Sequence, residues 1–390
     1  MRKCIYLIFA ILFGLSSCKK ADIGETSSCT YNNAADTSSR HPKAAKWQAI
    51  MDKYIQQGLP GMSVLIEDEN GEWISSGGYA DIEKEVKFLP CTPSKAASIT
   101  KLMVASLIYK LQEQGKLNID DPLSNYISKD ILDKIPNASR STIRNVMQHT
   151  SGIYDITTDS DFYLAVLNNP NKSWQPEEVL KYAYGKDPYN EVGDTSYYSN
   201  TNTVFVIMCA EKVLGYSHVK ALREMIWDPL GMHDTYIQSR DVLPKEVAQG
   251  YYDLYNNGTL VNVSNIITGS GNGYGGLFTT ILDLKKFIKA LYYDKTLINA
   301  ESLAMLGDFM NEDENNRLSP GAMLKFRSFT EHEGLGHSGR DLGYSADLFM
   351  FPTRNNRLLI FLVNYGTNAA SDLREVFRAF EKELVLDIVE

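Results

Sequence analysis

Ser98-Ile99-Thr100-Lys101 opens an apolar-periodic segment that runs to about Gly115, and the rest of the chain can be placed around it. The periodicity predicts a helix in which positions i and i+3 share a face, so the Lys101 amine can reach the Ser98 hydroxyl. An amine kept neutral by burial or by a neighbouring cation can take the serine proton and leave a nucleophilic oxygen. Spacing alone is a weak signal, because Ser-x-x-Lys recurs at Ser16 to Lys19, Ser17 to Lys20 and Ser217 to Lys220. Context has to choose among the copies.

Upstream of Ser98, residues 45 to 57 are patterned as a helix and Met62 to Ile66 as a short strand. Glu69-Asn70-Gly71 then makes a turn into a return strand, Glu72 to Gly78. Downstream, residues 117 to 265 are mostly helical patterns broken by Pro and Gly. Strands then return: Leu342 to Phe351 and Arg357 to Tyr365 flank the turn residues Pro352 to Asn356, and Ser371 to Ile388 closes as an amphipathic helix. No repeat is visible. This order predicts an α/β (α+β) chain, an antiparallel sheet flanked by N- and C-terminal helices, with an all-helical subdomain inserted at about 117–265 and a cleft between them. Ser98 would lie at that junction, its amide among the unpaired N–H groups of a helix start.

The N-terminus reads as an export signal. Arg2 and Lys3 precede the eleven-residue apolar run Ile5 to Leu15, and Leu15-Ser16-Ser17-Cys18 puts small residues before a cysteine. Such a run is shorter than the roughly 20 residues a membrane span needs. Residues 1–17 are therefore expected to be a lipoprotein signal peptide and Cys18 the lipidation site, which implies export and a lipid anchor in a bacterial membrane, periplasmic or cell-surface. An ordinary secretory signal is the alternative. Residues 18–43 are polar and small, a flexible tether, and 44–390 form the folded domain.

The net charge of −9 becomes −11 once the signal's two basic residues are removed. A chain so acidic lacks the basic stripe that nucleic acid demands. Cys29, Cys91 and Cys209 show no metal-type spacing, and Cys91 and Cys209 are expected to be buried small apolar residues rather than a bridge. There is no Gly-x-Ser-x-Gly elbow and no His-Glu-x-x-His, and the six histidines are dispersed, so neither metal nor cofactor is implied. Residues 269 to 276 lack Gly-Lys-Ser/Thr and read as a loop before a Thr280-x-x-Asp283 capping pattern.

Two triplets complete the set: Tyr198-Ser199-Asn200, 100 residues after Ser98, and His337-Ser338-Gly339, which leads into the strand near Leu342. Their decoys sit badly, Tyr31-x-Asn33 in the tether, Tyr255-x-Asn257 in a turn, and His332-Glu333-Gly334 without a hydroxyl. Around them lie residues 115–123 (GKLNIDDPL), 142–152 (TIRNVMQHTSG), Pro229-Leu230-Gly231-Met232 and 275–280 (GGLFTT). In this order and spacing the chain resembles the serine β-lactamase and penicillin-binding protein family, in its class C β-lactamase and D-alanyl-D-alanine carboxypeptidase branch, over nearly all of residues 44–388. It lacks the Ser-Asp-Asn and Lys-Thr-Gly of class A enzymes.

The resemblance implies a β-lactamase/transpeptidase-like fold and a hydrolase working through an acyl-serine. Ser98 would be the nucleophile and Lys101 would accept its proton directly or act by lowering the Tyr198 pKa, a choice left open here. Tyr198 would return a proton to the leaving group and later activate water. Asn200 would hold a substrate amide, and the N–H groups of Ser98 and Arg340 would form the oxyanion hole. His337 stands where many relatives have lysine, Ser338 would meet a substrate carboxylate, and Gly339 would allow close backbone approach. A histidine of ordinary pKa at 337 would grip acidic substrates less well as pH rises. The Arg340 side chain, Lys325 and Arg327 are alternative carboxylate partners, and His149 reads as a hydrogen-bonded helix-end residue. The expected partner is a small-molecule or peptide substrate, with a peptidoglycan stem peptide, a β-lactam and a small ester as candidates. A non-catalytic wall-binding or sensing lipoprotein is the reading from outside enzymology.

Overall fold

The computed structural model describes residues 40–245, 247–367 and 370–390. The expected signal peptide, Cys18, Cys29 and most of the tether lie outside them. Nine strands form one antiparallel sheet: β1 (Gly61–Asp68), β2 (Gly71–Asp81), β3 (Val86–Lys87), β4 (Met310–Asn311), β5 (Arg317–Leu318), β6 (Met323–Lys325), β7 (Gly334–Asp341), β8 (Tyr344–Phe351) and β9 (Arg357–Val363). Their spatial order is β3-β2-β1-β9-β8-β7-β6-β5-β4, so the first and last strands in sequence are neighbours inside the sheet. Met62 pairs with Val363 there, and Gly339 with Ala346 farther out.

The helices that matter here are α1 (Ala44–Gln56), α2 (Thr100–Glu113), α3 (Ile143–Met147), α4 (Ser160–Asn168), α5 (Asn200–Leu214) and α6 (Asp372–Val389). Alternate strand residues supply two cores. Val64, Ile66, Phe349 and Phe361 pack against Trp47, Met51 and Tyr54 of α1 and Phe377 and Phe380 of α6. Leu65, Leu348, Ile360 and Leu362 face the opposite way, into the core built around α2. Both faces being covered, Leu358 to Val363 are fully buried, which is why β9 reads as an unbroken apolar run. Truncating a ring such as Phe361 to alanine costs about 3–5 kcal/mol.

The expected terminal helices and the 352–356 hairpin are present, the turn carrying left-handed Asn355 and Asn356. The inserted region departs from expectation, since it is not all-helical. Tyr251–Tyr252 pairs with Val261–Asn262, and Tyr236–Ile237 pairs with Leu277–Thr279, whose other neighbour is Ser94–Lys95. Strands of two residues are too short to show alternation and read as turns. A second correction concerns Cys91, which is disulfide-bonded; Cys209 alone of the two is a free, buried thiol. Connectivity of this kind is not contained in spacing.

Candidate active site

The segment before α2 does not start as a regular helix. Ala97–Ile99 is one turn of 3-10 helix, and Ala97 takes a left-handed φ of 47° immediately before the nucleophile. That costly conformation is held from two sides. β7 presses on it so closely that a Cβ on Gly339 would come 2.0 Å from the Ala96 carbonyl oxygen, and Ala96 donates its N–H to Leu277 across a 2.7 Å bond. Gly339 thus permits close approach, as expected, between two protein segments.

Lys101, in the first turn of α2, sends Nζ to three oxygens: Ser98 Oγ at 3.1 Å, Asn200 Oδ1 at 2.8 Å and the Tyr274 carbonyl at 2.7 Å. Burial lowers its pKa from 10.5 to about 7, even though Asp155 and Asp341 pull the other way. A neutral amine has two N–H donors and one lone pair. Asn200 and Tyr274 accept the two protons, so the lone pair is left for Ser98. This favours direct proton acceptance by Lys101 over the alternative route, in which Tyr198 ionises. Burial raises the Tyr198 phenol well above its ordinary value, against a smaller lowering by the Ser98 hydroxyl it meets.

Tyr198 lies just before α5, and its ring stacks on His149 at 4.4 Å. His149 is buried, left-handed at φ 59°, and accepts the Ser199 N–H on Nδ1 at 3.1 Å, so its proton sits on Nε2. Burial, then the Lys101 charge, keeps this ring neutral. It is the hydrogen-bonded helix-end residue expected, and it also fixes the plane of the tyrosine. Asn200 has both ends of its amide committed, Oδ1 to Lys101 and Nδ2 to Asp155 and Thr157, each at 3.0 Å. As placed it orients Lys101.

His337 is buried, and Nδ1 donates to the Ser338 carbonyl at 2.6 Å. Burial, and next the Lys101 charge, bring its pKa to about 3. The expected loss of a cationic grip with rising pH is therefore corrected: this imidazole is already neutral at pH 5 and above. The carboxylate roles weighed for Arg340 and Lys325 are corrected too, whereas Arg327 meets only a neutral amide oxygen and keeps its charge. Arg340 donates to Asp347 at 3.0 Å and Glu381 at 2.6 Å, Lys325 to Glu381 at 2.5 Å, and Arg327 to the Asn311 amide oxygen at 3.2 Å. Arg340 points through β7 toward α6, with its guanidinium 4.7 Å from the Phe377 ring centre, while its residue still borders the cleft.

Ser98, Asp155, Tyr198, Asn200, Glu312 and Ser338 line a cleft of about 760 Å³. Sequence reasoning missed Asp155, the Tyr274 carbonyl and Glu312. The first lies just after residues 142–152, and the second lies in the glycine-rich 269–276 stretch read only as a loop before a capping pattern.

The Beta-lactamase family model matches residues 44–382. The chain belongs to the β-lactamase family. The teichoic acid D-alanine hydrolase of Staphylococcus aureus is 30% identical over 252 residues, 64% of this chain and 58% of that relative. Protein flp of S. aureus strain N315 is 26% identical over 333 residues, 84% of this chain and 64% of that protein. The chain thus spans less than two thirds of the length of either relative. Among solved structures, the D-amino acid amidase of Ochrobactrum anthropi SV3 superposes with a TM-score of 0.76 at 20% identity, covering 88% of this chain and 99% of the amidase. A penicillin binding protein of Bacillus halodurans gives 0.72 at 24% identity, covering 86% and 99%. At these identities the superpositions establish the fold.

Proposed function

We propose that this protein is a serine hydrolase acting through an acyl-Ser98 intermediate on a D-aminoacyl ester or amide. The carrying observation is the Lys101 amine, 3.1 Å from Ser98 Oγ with its pKa brought to about 7. Lys101 takes the Ser98 proton as the oxygen attacks the carbonyl carbon, and the Ser98 and Arg340 N–H groups receive the developing oxyanion. Tyr198 passes a proton to the departing alcohol or amine and is replenished from Lys101. In the second half a water loses its proton along the same path, attacks the acyl group and releases Ser98. The D configuration and the ester or amide bond are taken from the names of the relatives, a D-alanine hydrolase and a D-amino acid amidase. A carboxypeptidase or β-lactamase reading is less favoured, because Arg340 and Lys325, the cations nearest the His337 triplet in sequence and sheet, are already paired with Glu381.

Mass spectrometry of Ser98 after exposure to a fluorophosphonate and to a fluorescent penicillin tests the reading, alongside turnover of D-alanine esters and amides. Phosphonate labelling with ester or amide turnover, both lost in Ser98→Ala, is the expected result. Labelling by neither reagent would overturn it in favour of a wall-binding or sensing role. We also propose a lipid anchor at Cys18, checked by whether the mature protein begins at a lipidated residue 18.

A further inference from the structure

The cleft has an uneven distribution of charge. Its acidic residues are Asp155, Glu312, Asp313 and Asp341. Asp341 lies 3.5 Å from the Lys95 amine and accepts from Thr268 and Ser270, and Asp155 accepts from Thr157 and Asn200. Glu312 is different. It stands in the turn between β4 and β5, and among the described residues its side chain accepts the Tyr198 backbone N–H, 3.2 Å from Oε1. Burial and then Asp313 push its pKa up to about 7, and no cation offsets them. The nearby bases are engaged elsewhere: Arg317 with Glu333, Arg327 with Asn311, and Lys325 and Arg340 with Glu381. On the same side Ser338 Oγ faces the Met323 thioether at 3.6 Å.

This wall flanks Tyr198, the residue that hands a proton to the departing group, so it is the leaving-group side. We propose that Glu312 is a specificity-determining residue that excludes leaving groups bearing a carboxylate and admits neutral or cationic ones. The inference rests on the acyl-Ser98 reading and adds the charge of the group released. At pH 9, about two units above its pKa, Glu312 is ionised, and a second carboxylate brought within about 5 Å either meets its charge or forces it to take up a proton, each costing at least tenfold in rate. The neutral His337 and the paired Arg340 offer nothing to offset that repulsion.

The test compares kcat/KM at pH 9, where Glu312 is ionised, for D-alanyl-D-alaninamide and D-alanyl-D-alanine, which differ at the leaving-group terminus, in wild type, Glu312→Gln and Glu312→Lys. Wild type should prefer the amide at least tenfold. Glu312→Gln should narrow the ratio at least fivefold, and Glu312→Lys should bring it to unity or reverse it. If dipeptide turnover is too slow, the rate of Ser98 labelling by a fluorescent penicillin, which carries a carboxylate, relative to a neutral fluorophosphonate supplies the same ratio. Unchanged ratios in both variants, with Ser98 still labelled by the phosphonate, would overturn the role of Glu312. Absence of phosphonate labelling in wild type would instead overturn the acyl-enzyme reading beneath it.

Discussion

Ser98-x-x-Lys101 and Ser217-x-x-Lys220 are the same pattern at the start of two helices, yet they do opposite things. Ser217 caps its helix by accepting the Lys220 N–H at 3.3 Å, and the Lys220 amine, 60% exposed, reaches outward to Glu224. At the first copy the lysine residue is 4% exposed, and its amine meets the serine oxygen at 3.1 Å. Spacing brings a hydroxyl and an amine onto one helix face; burial without a direct carboxylate partner is what makes the amine a base. The loop carbonyl of Tyr274 and the amide of Asn200 supply that setting from 173 and 99 residues away in sequence.

The comparison is broken most directly by removing each amine. Lys101→Met should lower ester or amide turnover by about a thousandfold or more, and Lys220→Met should leave it within twofold, both read from initial rates. In wild type the acylation rate should rise with pH through about 7, where Lys101 loses its proton. The same shift carries a stability signature. Between about pH 7 and 10.5 the unfolded chain holds a proton on Lys101 that the folded one lacks, so stability from this group rises with pH across that window. Lys101→Met should flatten that rise in denaturant titrations while Lys220→Met keeps it.

A buried cation with partners makes the contrast sharper. On the far side of β7 from Lys101, Arg340 and Lys325 share Glu381, and Arg340 also holds Asp347. Burial alone would raise the Glu381 pKa, but Lys325 and Arg340 hold it at about 2. Glu381→Gln leaves these cations short of a counter-charge and should cost about 3–5 kcal/mol of stability by urea unfolding. Because β7 also presses on the Ser98 turn, some rate should go with it, far less than in Lys101→Met. A stability loss under 1 kcal/mol would show that the cluster is solvated and that burial does not separate the two cations.

Introducing a partner at the first site should convert it toward the second. Asn200→Asp places a carboxylate where Oδ1 now lies 2.8 Å from Lys101. The acylation limb should move upward by at least one pH unit, with turnover at pH 7 falling about tenfold. An unmoved limb would detach it from Lys101.

Much of this was legible in the chain for physical reasons. The hairpin around Pro352 to Asn356 and the helices at both ends announce themselves through periodicity and turn residues, and Ser98, Lys101, Tyr198 and His337 through ordered triplets. What stayed hidden depends on where side chains point across the sheet. Arg340 next to a site triplet invites a substrate role, but on β7 it faces α6, because alternate residues of a strand leave by opposite faces. His337 reads as a titrating cation until burial and the Lys101 charge are seen. Asp155, the Tyr274 carbonyl and Glu312 belong to no motif, since each is recruited by tertiary packing.

The smallest expected effect concerns the second copy of the pattern. If Ser217 is only a cap, Ser217→Ala removes one side-chain acceptor from a helix end and should cost about 1 kcal/mol of stability. Turnover should be unchanged. Ser98→Ala should show the reverse, abolished turnover with little change in stability, because Ser98 Oγ serves the site rather than a cap: it meets the Lys101 amine, the Tyr198 phenol and, through a long 3.4 Å bond, the Tyr274 carbonyl. Urea unfolding and initial rates on the two alanine variants give four numbers, and the crossed pattern is required. A catalytic loss in Ser217→Ala, or a large stability loss in Ser98→Ala, would mean that the two copies are not divided between a cap and a nucleophile.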